Sequence, residues 1–160
     1  MTEFTEWRSL VDGERISAIP DSVVERPDDD SSNSETDARG LKFTTTEFWP
    51  DFQGRISSLT SDVSTAYITE TDGSIIDTVD ISDLSSGEVF TFTEIDLPSG
   101  EYIITLDNDG NSYTNGRYDE TDQYPYTSDD GVLTLDNGIF NETSETNDVA
   151  YNIKEIGNIN

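Results

Sequence analysis

The sequence predicts an all-β fold over residues 40–160, an antiparallel β-sandwich of jelly-roll or immunoglobulin-like form. Three observations carry that reading. Past Gly40 apolar and polar residues alternate with period two, the spacing of a strand with one face buried. Turn signals recur at roughly 8–12 residue intervals, as in sandwiches and barrels. Thr and Ser make up 38 of the 160 residues, a composition suited to outward strand positions.

The runs follow in order. Leu41–Thr46 alternates, Gly54–Leu59 is a second short run, and Val63–Thr71 is a third that ends at Asp72–Gly73, a hairpin signal. Ser74–Ile81 reads as the return strand, and Ser85–Gly87 turns the chain again. Glu88–Ile95 places Phe90 and Phe92 on one face and Thr91 and Thr93 on the other. After the turn Leu97–Gly100, the run 101–107 puts Tyr102, Ile104 and Leu106 inward. Gly131–Leu135 and Val149–Ile156 close a set of eight strands. No 3.6-residue period is sustained past Gly40, so a helical domain does not fit there.

The first 39 residues read differently. Phe4, Trp7, Leu10 and Val11 recur at helical spacing, and Ile16, Ile19, Val23 and Val24 lie in an apolar stretch interrupted by Pro20. Residues 1–26 are therefore expected to be an anchoring segment. Phe4, Trp7, Leu10, Ile16, Ile19, Val23 and Val24 form its docking or oligomer surface, the alternative being that they pack back on the sandwich. Residues 27–39, acidic and without period, read as a linker.

Composition removes whole function classes. There is no Cys and no His, which excludes disulfides, thiolate sites, His-ligated zinc and the Ser-His-Asp triad. Thirty-five acidic residues oppose six Arg and two Lys, for a formal charge of −27. That charge argues against nucleic acid. No apolar run is long enough to span a bilayer as a helix, and Met1–Arg8 has no secretory signature. At molar salt the Debye length falls to about 3 Å and the self-repulsion of such a surface is screened. A carboxylate-coated, Lys-poor chain thus reads as one made for brine.

The string from Glu6 to Val24 resembles the leading segment of tail-fibre and tail-associated proteins of haloarchaeal tailed viruses. The runs Thr65–Ile68, Ser85–Phe92, Leu97–Ile103 and Tyr124–Thr127, with Trp49–Pro50, look like a β-sandwich module of such proteins, similar to carbohydrate-binding modules. The resemblance implies a virion structural protein, made in the host cytoplasm and displayed on the particle exterior as a tail fibre, baseplate or capsid spike. Its expected partners are itself (as a trimer or pentamer), other virion proteins, and a host surface glycan or glycoprotein. It carries no catalytic residue, no required cofactor and no membrane insertion. The alternatives are a cell-surface adhesin or accessory module, or a carboxylate-dependent glycan hydrolase of a halophile.

The 24 residues 107–130 form the most informative loop, because loops this long in compact domains are functional or disordered. Tyr113, Tyr118, Tyr124 and Tyr126 with Asn115, Arg117 and Asp119 supply aromatic faces and polar groups, the chemistry of a saccharide site. Equally, the tyrosines could cover the open end of the sandwich. Asp107, Asp109 and Asn111 have the alternate-oxygen spacing of a structural Ca²⁺ or Mg²⁺ loop, or of a plain Asp-Gly turn. Phe48, Trp49 and Phe52 read as an end plug or a partner-facing patch. Paired carboxylates are too many for any one pair to be singled out as a hydrolytic dyad.

Overall fold

The computed structural model describes residues 19–159. The expected helix and Phe4, Trp7, Leu10 and Ile16 lie outside the described residues. Among the described residues there are fourteen strands and no helix. They are β1 (Val23–Glu25), β2 (Ser31–Glu35), β3 (Arg39–Thr45), β4 (Phe52–Ile56), β5 (Thr65–Thr69), β6 (Ile75–Asp80) and β7 (Val89–Phe92). The second half adds β8 (Gly100–Asp107), β9 (Tyr113–Tyr118), β10 (Tyr126–Thr127), β11 (Leu133–Phe140), β12 (Ser144–Thr146), β13 (Ala150–Tyr151) and β14 (Ile153–Gly157).

The strands make three antiparallel sheets consistent with a β-sandwich. The largest runs β10-β11-β3-β8-β5-β6, with β12 also on β11. A four-stranded sheet runs β1-β14-β4-β7, and a small one runs β13-β9-β2. Period-two alternation sets the register. Across the large sheet Leu41 faces Ile104, Phe43 faces Tyr102 and Leu135, and Ile68 faces Ile104. These meet Phe52, Ile56, Phe90, Phe92, Ile153 and Ile156 of the four-stranded sheet in one core.

Aromatic contacts bridge the two layers. Phe43 stacks on Phe52 with ring centroids 4.9 Å apart, and Trp49 meets Phe52 edge-on at 4.9 Å. Trp49 is fully buried, and its indole N–H donates to Thr45 Oγ1 at 2.8 Å. Trp49 and Phe52 thus serve the core. Gly54 is glycine because the Phe90 ring lies where its Cβ would stand, at 2.4 Å.

Three expectations are corrected. Residues 27–39 are folded into the body: Ser31–Glu35 pairs along its length with β9, and Arg39 opens β3. The run Ser31–Glu35 lacks apolar alternation because β2 lies at a sheet edge, with Ser32, Asn33 and Ser34 exposed. Val24 is a core residue, 3% exposed, since β1 pairs with β14. Ile19 and Val23 remain exposed. The long excursion 107–130 holds the regular strand β9.

A buried polar seam joins these late and early strands. Asn152 lies between β13 and β14 at φ 57°, a left-handed conformation that asparagine tolerates. Its N–H donates to Gly116 O at 2.8 Å and its Nδ2 to Arg39 O at 2.9 Å, while Ser57 N–H donates to Asn152 O at 2.8 Å. Arg26, also buried, donates to Ile153 O, Pro27 O, Ser57 Oγ and the carboxylate of Asp29 at 2.6–2.9 Å. Asp29 in turn accepts from Leu59 N–H at 2.9 Å. These bonds fasten residues 26–29, read as leader and linker, to the body.

Candidate functional site

The outward positions of the large sheet are the ones between its core positions. On β3 they are Lys42 and Thr44, on β8 Glu101, and on β11 Asp136 and Asn137, where the register to β3 shifts by one residue. The bulge places two polar side chains opposite Lys42 instead of one. Thr121, Asp122, Tyr124 and Pro125, from the segment before β10, and Asn147 close the rim. The result is an open groove of about 590 Å³, within the range of small-molecule sites.

The groove is acidic and internally braced. Lys42 Nζ sits 3.1 Å from Glu145 and 3.4 Å from Glu101. Burial works against the Lys42 ammonium, but the hydrogen bond and charge of Glu145, helped by Glu101, hold its pKa above the usual lysine range. Thr44 Oγ1 donates to Asp136 at 2.6 Å. Burial pushes the Asp136 carboxyl up, and Glu101 and Glu145 add to it, against the pull of Thr44 and Lys42. Asn137 Nδ2 donates to Asn147 Oδ1, and Thr121 Oγ1 to Asn147 O. Tyr124 meets Tyr126 edge-on at 5.3 Å, and its hydroxyl donates to Val149 O at 3.4 Å. Burial raises the Tyr124 pKa, so its phenol stays protonated.

Of the residues expected from sequence, Tyr124 lines this groove. Tyr113 and Asn115 are buried instead: Tyr113 donates to Asp37 O at 2.7 Å, and Asn115 Nδ2 to Asn33 Oδ1 at 3.0 Å. Arg117 and Asp119 pair at 2.7 Å at the end of β9, where Ser31 Oγ also donates to Asp119. Against its burial, those two donors hold the Asp119 carboxyl below the ordinary range. Tyr118 and Tyr126 pack on the core, and the Tyr126 hydroxyl is buried with no hydrogen-bond partner among the described residues.

At the expected cation loop, Asp109 accepts from Ser64 at 2.9 Å and Thr65 at 3.0 Å, and Asp107 accepts from Asp109 N–H at 3.1 Å. Asn111 N–H donates to Asn108 O, closing a turn. Among the described residues no three metal-ligating side chains converge. Lys42, Thr44, Glu101, Asp136, Asn137 and Asn147 were not among the residues expected from sequence. Their signal was the polar half of each strand's alternation, which names outward residues but not which strands neighbour one another.

No family model matches the chain, and neither the curated proteins nor the solved structures hold a match to it.

Proposed function

We propose that this chain is an exterior attachment module of a haloarchaeal virus particle, a tail fibre, baseplate or capsid-spike component, whose groove binds a hydroxyl-rich saccharide of the host surface. The single observation behind the saccharide reading is the groove itself. An aromatic and proline wall at Tyr124 and Pro125 faces hydroxyl, amide and carboxylate groups at Thr44, Asn137, Asn147 and Asp136. Sugars take aromatic faces against their C–H surfaces and carboxylates and amides at their hydroxyls. The virion assignment rests on the likeness of Glu6–Val24 to viral leaders and on the charge of −27, which brine would screen. One such site binds weakly, so attachment calls for a homo-oligomer, trimer or pentamer, in which avidity multiplies affinity.

The test is calorimetric titration of the full chain with neutral oligosaccharides in molar KCl. Binding is expected, and Tyr124→Ala is expected to weaken it about tenfold, equivalent to the ~1.4 kcal/mol scale of an aromatic contact. Absence of binding, or binding untouched by Tyr124→Ala, overturns the saccharide reading. Sugar release that Asp136→Asn abolishes would make the chain a hydrolase. A full chain that stays monomeric in molar salt would count against the particle reading.

A further inference from the structure

We infer that the outer face of the large sheet carries a second subsite, centred on Tyr67, Thr105 and Asp107, and that it and the groove together hold one extended saccharide chain. This rests on the groove being a saccharide site.

The placement follows from β8. Because Tyr102, Ile104 and Leu106 face the core, Glu101, Ile103, Thr105 and Asp107 share the outer face. Glu101 lines the groove, whereas Thr105 and Asp107 line a separate cavity of about 230 Å³. Four residues of strand separate Glu101 from Thr105, about 13 Å. Ile103 lies between them on the same face and is itself buried. The two cavities are therefore stations along one strand.

The second cavity repeats the chemistry of the first. Tyr67 supplies the aromatic wall and Asp107 a carboxyl, over a floor of the buried Thr69 and Thr105. Ile75, also at its edge, is 62% exposed, the most of any large apolar side chain described. A sugar's C–H face would cover it. Burial raises the Asp107 pKa, and the charges of Asp109 and Glu142 add to that, against a hydrogen bond from Asp109 N–H. Among the described residues no cation pairs with this carboxyl, which leaves it suited to a hydroxyl. The β11–β12 turn bounds the cavity, held there by Glu142 N–H donating to Ala38 O at 3.1 Å.

The experiment is a length series. The full chain in molar KCl is titrated with a β-linked glucose oligomer from disaccharide to hexasaccharide. Affinity is expected to climb about tenfold or more with length, the signature of a second linked contact. Tyr67→Ala and, separately, Ile75→Ser should erase that gain and leave disaccharide affinity unchanged, while Tyr124→Ala weakens every length. Ile75 is exposed at a sheet edge, so its variant keeps the fold. Affinity independent of length, or a gain surviving both variants, overturns the second subsite alone. Failure of every oligomer to bind overturns the groove reading and this inference with it.

Discussion

At the seam, Arg26, Asp29, Tyr113 and Asn152 are buried and meet their hydrogen-bond partners inside the fold. At the groove, Lys42 pairs with Glu101, Asp136 accepts from Thr44 and Asn137 donates to Asn147, and all of them line an open cavity. Both regions are built from charged and hydrogen-bonding side chains. Both hold partners from distant strands; the difference is whether the bonded side chains are sealed from water, as at Arg26 and Asp29, or still face an open cavity, as at Lys42 and Glu101. Polar groups of the first kind specify structure, because an unpaired buried polar group is costly. Those of the second kind are free to recognise something.

Changes at the seam should therefore be the most damaging. Asp29→Ala leaves the Arg26 guanidinium buried without its counter-charge, and should cost about 3–5 kcal/mol in denaturant unfolding at molar KCl. Asn152→Ala loses several bonds at a left-handed position and should cost about 1–3 kcal/mol. If either variant unfolds like the wild type, the seam is not what holds residues 26–29 to the body.

Asp37, whose backbone carbonyl accepts from Tyr113 of the seam, and Asp136 of the groove should answer pH with opposite sign. Against burial, Arg39 and the Asn141 N–H hold the Asp37 carboxyl below its ordinary range. Its contribution to stability is present above the unfolded value of about 3.9 and is lost as pH falls through the depressed folded value. The Asp136 carboxyl is raised chiefly by burial. Its contribution is fully present below about 3.9 and is lost as pH rises through the higher folded value. Melting curves across acidic to neutral pH should show Asp37→Asn destabilising only toward neutral pH. Asp136→Asn should be harmless or stabilising there. The same sign in both variants would break the contrast.

The smallest effect separates two tyrosines. Tyr113→Phe loses a bond to Asp37 O and should cost about 1 kcal/mol. Tyr126→Phe removes a buried hydroxyl with no partner among the described residues and should be neutral or stabilising by up to about 1 kcal/mol.

The fold was legible where one face of a strand is apolar. Leu41, Phe43, Tyr102, Ile104 and Leu106 announce β3 and β8 through their period. It was not legible at Ser31–Glu35, an edge strand tied by backbone bonds to β9 and carrying no apolar face. Nor was it legible at Tyr113–Tyr118, where Asn115 and Gly116 occupy buried positions that usually go to apolar residues. The tyrosines after position 107 drew the eye, yet only Tyr124 among them lines the groove. Lys42, Glu101 and Asp136 lie far apart in the chain, and only the register of β3 with β8 and β11 joins them.

The most direct test of the groove is a backbone NMR titration of the full chain in molar KCl with a neutral oligosaccharide. Amide shifts should move at Thr44, Glu101, Asp136, Asn137 and Asn147, while Arg26, Tyr113 and Asn152 stay still. Shifts confined to Arg117–Asp119 and the chain ends, or no shifts at all, would contradict the account.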